Sequence, residues 1–233
     1  FRILATLLKP DSGKARINGL DVVRDFKKIR QIIGYMPGRF SLYQDLTVEE
    51  NLSFYATVFG TTIEKNYDLI RDIYQHIEPF KTRRAGQLSG GMKQKLALSC
   101  ALIHSPDILI LDEPTTGIDA VTRKEFWEML IKLKERGITI IVSTSYMDEA
   151  GLCHRVGLIQ NGHLLSVDAP QEGLLADHPQ VVGVGGAHVG AGLRAEVPGL
   201  RAVAHRGAGL EPELAQVPLA GERGHPLAEA PRG

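Results

Sequence analysis

The chain has 233 residues, 27 Lys+Arg against 27 Asp+Glu, a formal net charge of zero, and 43% apolar and 23% charged residues. That length gives one large domain or two small ones, with a core that needs no staples. The composition is that of a folded chain rather than a disordered one. The balanced charge lacks the basic excess of a sequence-independent nucleic-acid binder, so no nucleic-acid partner is expected.

No run of about 18 apolar residues is present, so no segment reads as a membrane span. Phe1–Lys9 reads as the end of a helix, stopped by Pro10 and Gly13. Ala15–Asn18 reads as a short strand closed by the turn Asn18-Gly19. Phe26–Arg30 is expected to be a short helix and Ile32–Tyr35 a strand. The run Thr47-Val48-Glu49-Glu50 fits a capping box opening a helix to about Phe59. A second helix is expected over Tyr67–Glu78, ended by Pro79, and a third over Gly91–His104. Ile108–Leu111 is four consecutive aliphatics, the pattern of a strand buried on both faces. A long helix follows over Ala120–Arg136, then a strand over Ile138–Ser143 and a short helix over Asp148–Cys153. Val156–Gln160 and Leu164–Val167 flank Asn161-Gly162, a hairpin signal. Alternating helices and strands define an α/β architecture over residues 1–178. Cys100 and Cys153 have no metal-ligand spacing and suggest a reducing compartment.

Composition changes near residue 180. Gly, Ala and Pro supply 26 of the 53 residues from 181 to 233, and Lys, Ile, Phe, Tyr, Asp, Asn, Ser and Thr are absent there. Such a segment offers little apolar surface against its ordering entropy. Residues 179–233 are therefore expected to be a mostly disordered, low-complexity tail. A docked appendage and a reading that is not the gene's natural continuation are the alternatives.

Two features carry chemistry. The strand Ile108–Leu111 delivers Asp112 and Glu113 at its C-terminal end, where ligands bind in open α/β sheets. Asp112 suits Mg²⁺, held through water, and Glu113 suits a general base acting on water. Leu88-Ser89-Gly90-Gly91-Met92 stands directly before a helix. Its backbone N–H groups and the helix N-terminus suit a phosphate. Lys81, Arg83, Arg84, Lys93 and Lys95 flank this loop, either as a solvated face or as a field drawing phosphate inward.

The stretch LSGGMKQKLALSCALIHSPDILILDEPTTGIDA closely resembles the ATP-binding subunit of ABC transporters, and most of all the exporters among them. Leu88–Met92 matches the signature loop, Ile108–Glu113 the Walker B strand, Gly117–Asp119 the D-loop, Tyr35–Gly38 the Q-loop region and Ile140–Ala150 the switch region. The resemblance implies a P-loop NTPase of ABC type with a helical subdomain over Thr47–Glu78. It implies ATP and Mg²⁺ as cofactors, a second ABC ATPase domain bound head to tail, and a transmembrane permease as partner. Leu88, Ser89, Gly90 and Gly91 would meet the nucleotide bound by the partner domain. Asp112 would organise Mg²⁺, Glu113 would be the catalytic base and Asp119 would couple the two sites. The location implied is cytoplasmic, peripheral at the inner face of the membrane. A non-transport ABC ATPase, ribosome-associated or regulatory, and an inactive fragment are the competing readings.

Three departures stand against that pattern. The motif G-x-x-x-x-G-K-[ST] does not occur, so the chain reads as N-terminally truncated, lacking the A-loop and Walker A, and as inactive alone. The Q-loop glutamine is replaced by Gly38, and the switch histidine by Ser145. Each lost contact is expected to weaken the transition state by roughly 1–3 kcal/mol, about tenfold or more in rate.

Overall fold

The computed structural model describes residues 1–38, 42–160, 162–170, 181–185, 194–197 and 200–203. Its centre is the aliphatic strand β4 (Ile108–Asp112), parallel to β3 (Ile33–Met36) on one side and β5 (Thr139–Thr144) on the other. Strand side chains alternate in direction, and β4 divides accordingly. Leu109 and Leu111 join the larger core, and Ile108 and Ile110 the smaller one. Ile140 and Val142 of β5 follow the first pair, Ile141 the second. Both faces of the sheet are thus covered, which is why these strands read as unbroken aliphatic runs. Burial of each such side chain contributes about 1.5–3 kcal/mol.

The helical layer over the larger core is α2 (Val48–Val58), α3 (Ile63–Tyr74), α4 (Gly90–Leu102) and α5 (Ala120–Glu135), with single 3₁₀ turns at Glu78–Phe80 and Ala85–Gln87. The expected capping box forms: Thr47 Oγ1 accepts from Glu50 N at 3.2 Å and Glu50 Oε2 from Thr47 N at 2.7 Å. The helix expected over 67–78 instead starts at Ile63, because the Thr62 hydroxyl caps it by accepting from Lys65 N. The smaller core is closed by β1 (Lys14–Ile17), β2 (Leu20–Asp21) and α1 (Phe26–Ile32). The β1–β2 turn is Asn18-Gly19, both at positive φ.

No helix is assigned over Phe1–Lys9, yet its hydrogen bonds are those of a helix end. Ala5 N donates to Phe1 O, and Leu7 N and Thr6 N donate to Arg2 O and Ile3 O around Thr6 at φ 59. That is a Schellman closure, so the stop lies at Thr6, ahead of Pro10. Past β5 come the four-residue helix α6 (Met147–Ala150) and the hairpin of β6 (Arg155–Gln160) and β7 (His163–Asp168), where Gln160 faces His163. Asn161 of the expected turn lies outside the described residues.

Within residues 179–233, expected to be a mostly disordered tail, the described segments are three strands. β8 (Val181–Gly185) lies between β5 and β6, antiparallel to both, giving the order β3-β4-β5-β8-β6-β7. β9 (Arg194–Val197) and β10 (Leu200–Val203) extend the second sheet as β10-β9-β1-β2. The boundary at 178/179 therefore falls between strands of one sheet. The physical reason is that ladder pairing uses main-chain groups, which composition does not count. Buried β5 and β6 would otherwise leave N–H and C=O groups unpaired, a cost that a Gly-rich strand relieves as well as any other. The remaining tail residues lie outside the described ones.

Candidate functional site at the C-terminal end of the parallel strands

β3, β4 and β5 run in the same direction, so their C-terminal ends deliver Gly38, Asp112-Glu113 and Ser143–Ser145 to one edge of the sheet. A Cβ placed on Gly38 would lie 3.1 Å from Asp112 O and 3.7 Å from Glu113 Cβ. The Q-loop and Walker B positions are therefore in contact.

Glu113 has φ 48, a region that non-glycine residues avoid. It is held there by several bonds. Its N–H donates to Ser143 O at 3.1 Å and Ser143 Oγ at 3.0 Å, and its carbonyl accepts from Thr116 N. Its carboxylate Oε2 accepts from Thr116 Oγ1 at 3.1 Å, Ser145 Oγ at 3.2 Å and Ser145 N at 3.3 Å. Ser143 Oγ in turn donates to Asp112 Oδ1 at 2.7 Å. The switch position and the turn after Walker B thus meet on one carboxylate, with the Q-loop position against the Glu113 Cβ.

The signature loop is built differently. Ser89 caps α4, its hydroxyl accepting from Met92 N at 3.3 Å and its carbonyl from Lys93 N. The N–H groups of Gly90 and Gly91 have no protein acceptor among the described residues, as the first turn of a helix leaves them. Leu88 is placed differently from the expectation that it meets nucleotide: its side chain is in the larger core and its N–H is spent on Ala85 O. It anchors the loop. Asp119 caps α5, Oδ1 accepting from Val121 N and Thr122 N and Oδ2 from Thr122 Oγ1 at 2.7 Å. The Thr122 hydroxyl and these N–H groups hold its carboxyl below the usual range. Gly91 faces Thr122 and Gly90 faces Ile118, so the signature and D-loop segments abut. The buried Gln94, one turn into α4, donates to Pro114 O and ties this helix to the Glu113 loop.

Of the basic residues around the signature loop, three have partners: Lys95 with Glu125 at 3.0 Å, Lys81 with Glu49 at 3.5 Å, and Arg83 over the Phe80 ring. Phe59 belongs with the core and stacks on His104, whereas Phe54 is partly exposed against Tyr43.

Sequence reasoning missed Glu149, the one buried carboxylate among the described residues. It accepts from Thr115 and Thr144 at the back of this site. The only signal was its place two residues into a short acidic run after the switch position.

The family model for ABC transporters matches residues 1–116. "Nod factor export ATP-binding protein I" of Rhizobium sp. strain N33 is 35% identical over 240 residues, covering 99% of this chain and 79% of that protein. "Probable multidrug ABC transporter ATP-binding protein YbhF" of Escherichia coli K12 is 45% identical over 173 residues, covering 73% of this chain but 30% of that protein. The Nod factor export ATP-binding protein I of Burkholderia pseudomallei 1710b is 38% identical, with 57% of its length spanned. Among solved structures, a dimeric ATP-binding cassette in a post-hydrolysis state bound to ADP and Pi aligns with TM-score 0.65 at 26% identity, covering 73% of this chain and 78% of that one. The ATP-binding subunit of an ABC transporter aligns with TM-score 0.65 at 25% identity, covering 73% and 72%. The chain belongs to the ABC transporter family, among its ATP-binding subunits, and its α/β fold is that of their nucleotide-binding domain. It spans only 30% and 57% of the Escherichia coli and Burkholderia relatives.

Proposed function

We propose that these residues form part of the ATP-hydrolysing subunit of an ABC-type exporter. The observation that carries the reading is the convergence of Gly38, Glu113 and Ser145, with Glu113 fixed in a backbone conformation it would not adopt unaided. In this reading the Glu113 carboxylate takes a proton from the attacking water. Ser145 and Thr116 fix its direction. The free N–H groups of Gly90 and Gly91 bind the γ-phosphate of ATP held by a second domain in a head-to-tail pair. Asp119 reports between the two sites.

Among the described residues no cluster of three or more His, Cys, Asp or Glu could hold a metal. Asp112, with one oxygen already taken by Ser143, fits a Mg²⁺ bound through water and phosphate oxygens, one that arrives with the nucleotide. Such an ion supplies charge neutralisation at the phosphates. The helices over Thr47–Glu78 would meet a transmembrane partner at the inner face of the membrane. No helix of the described residues is long and apolar enough to cross a membrane itself.

The 233 residues contain no phosphate-cradling G-x-x-x-x-G-K-[ST] loop, so the chain alone is expected not to bind ATP at micromolar concentration. The test uses calorimetry on the chain, then a hybrid with a strand, such a loop and its helix fused ahead of Phe1. The hybrid is expected to bind and hydrolyse ATP, and Glu113→Gln to lower turnover about 10²–10⁴-fold. Hydrolysis that survives Glu113→Gln overturns the proposal, whereas micromolar ATP binding by the chain alone refutes only the expectation that binding needs the added loop.

A further inference from the structure

We infer that Glu149 is a positioning residue that sets the spacing of the loops bearing Glu113 and Ser145; this rests on reading Glu113 as the base. Glu149 is 2% exposed and uses both carboxylate oxygens on hydroxyls from different loops. Oε1 accepts from Thr115 Oγ1 at 2.6 Å and Oε2 from Thr144 Oγ1 at 2.5 Å. Thr115 is two residues beyond Glu113, and Thr144 immediately precedes Ser145.

Thr144 transmits the constraint. Its hydroxyl gives its proton to Glu149 and accepts from Tyr146 N at 3.0 Å, which brackets Ser145 between two fixed neighbours. Ser145 then presents both its N–H and its hydroxyl to Glu113 Oε2. Thr115 does the same from the other side. Its loop is held at Pro114 by Gln94 and at Thr115 by Glu149, so the segment carrying the φ 48 residue is fixed at two successive positions. A strained backbone persists only where its surroundings over-determine it.

A third element is tied to the same carboxylate. Arg123, in the first turn of α5, has Nε 3.9 Å from Glu149 Oε1, Nη2 3.8 Å from Asp148 and its guanidinium 4.3 Å from the Tyr146 ring centre. The helix capped by Asp119 is therefore linked to both loops. Filling a core does not need a carboxylate, and burying one is costly unless it is paired and hydrogen-bonded. What a carboxylate provides, and an aliphatic side chain does not, is a bridge of fixed width between two hydroxyl donors.

The test is millisecond hydrogen exchange on the full chain, which needs no nucleotide. Glu149→Ala is expected to speed exchange at the amides of 115–116 and 144–146 together by about tenfold or more, with 109–111 unchanged. Glu149→Gln, which keeps one acceptor oxygen, recovers part of the protection. Should Glu149→Ala not fold, Thr115→Val and Thr144→Val carry the test. Each removes one tie and is expected to loosen the opposite loop as well as its own. A change confined to one loop, or a uniform change that includes 109–111, overturns the inference. In the hydrolysing hybrid, Glu149→Ala is expected to lower kcat about tenfold, with KM for ATP within about twofold; a rise in KM at constant kcat overturns the positioning role. Inactivity of the unmutated hybrid would instead show failure of the hydrolysis reading, before any Glu149 variant is made.

Discussion

Gly91 is where the signature loop and the D-loop helix touch, and replacing it with alanine tests that contact directly. The added Cβ would sit 2.4 Å from Thr122 Cγ2. Thr122 cannot simply turn away. Its hydroxyl donates to Asp119 Oδ2 at 2.7 Å and its N–H to Asp119 Oδ1 at 3.0 Å, and a helical β-branched side chain has few rotamers to choose from. Either α4 and α5 separate or the Asp119 cap breaks. Overpacking of this kind costs about 1–3 kcal/mol, set against about 0.5–1 kcal/mol gained by replacing a helical glycine with alanine. The net, about 0–2.5 kcal/mol by that difference, does not discriminate alone, so the double-mutant cycle with Thr122→Ala decides. In the Thr122→Ala background the methyl is gone and Gly91→Ala should stabilise. The coupling is then at least about 1 kcal/mol, or about 2–4 °C in Tm for a chain of this size. Urea unfolding of the four chains, with a common m value, measures it. Effects of Gly91→Ala that agree within about 0.5 kcal/mol in the two backgrounds would refute the claimed contact.

The switch position gives a second expectation: in the hydrolysing hybrid, Ser145→His should raise kcat about tenfold or more, by supplying an imidazole where Ser145 offers only a hydroxyl. An unchanged kcat removes the view that Ser145 slows this site. Asn51 is fully buried and holds the loop after the Q-loop, with Nδ2 donating to Tyr43 O, Leu46 O and Thr47 O and Oδ1 accepting from Tyr43 N. Asn51→Ala strands several of these groups at about 1–3 kcal/mol each, so a loss near 3 kcal/mol is expected in urea unfolding, and less than about 1 kcal/mol would contradict the geometry. His104 adds a pH dependence. Burial holds its pKa below the ordinary 6.5, opposed by its bond to Ile33 O at 2.9 Å. As pH falls, the unfolded chain takes up this proton first, so the contribution of His104 to stability is complete above about 6.5 and shrinks below it. His104→Phe keeps a ring stacked on Phe59 and should flatten the dependence of stability on pH between about 5 and 6.5; an unaltered slope excludes His104 as its source.

What was legible in the sequence and what was not divides along a physical line. The aliphatic run of β4 and the Thr47–Glu50 box are local signals, and both appear within a residue of where the sequence puts them. Thr62 was as local a signal, but the polar stretch after it masked the apolar period until Tyr67. The site's edge was legible because β3, β4 and β5 are parallel, and parallel strands bring their following loops to one place. What stayed hidden was which atoms meet there. Glu149 reads as one more surface acid in a Met-Asp-Glu-Ala run. Its burial follows from a crossover that folds α6 under Thr115, a residue 34 positions away. The strands within residues 181–203 were hidden in the same way. Composition counts what side chains can bury, whereas β8 enters the sheet through main-chain pairing with Ile140–Thr144 and Arg155–Leu158. Both misses have one origin: long-range contacts satisfy polar groups, and a one-dimensional pattern of apolar residues carries no record of them.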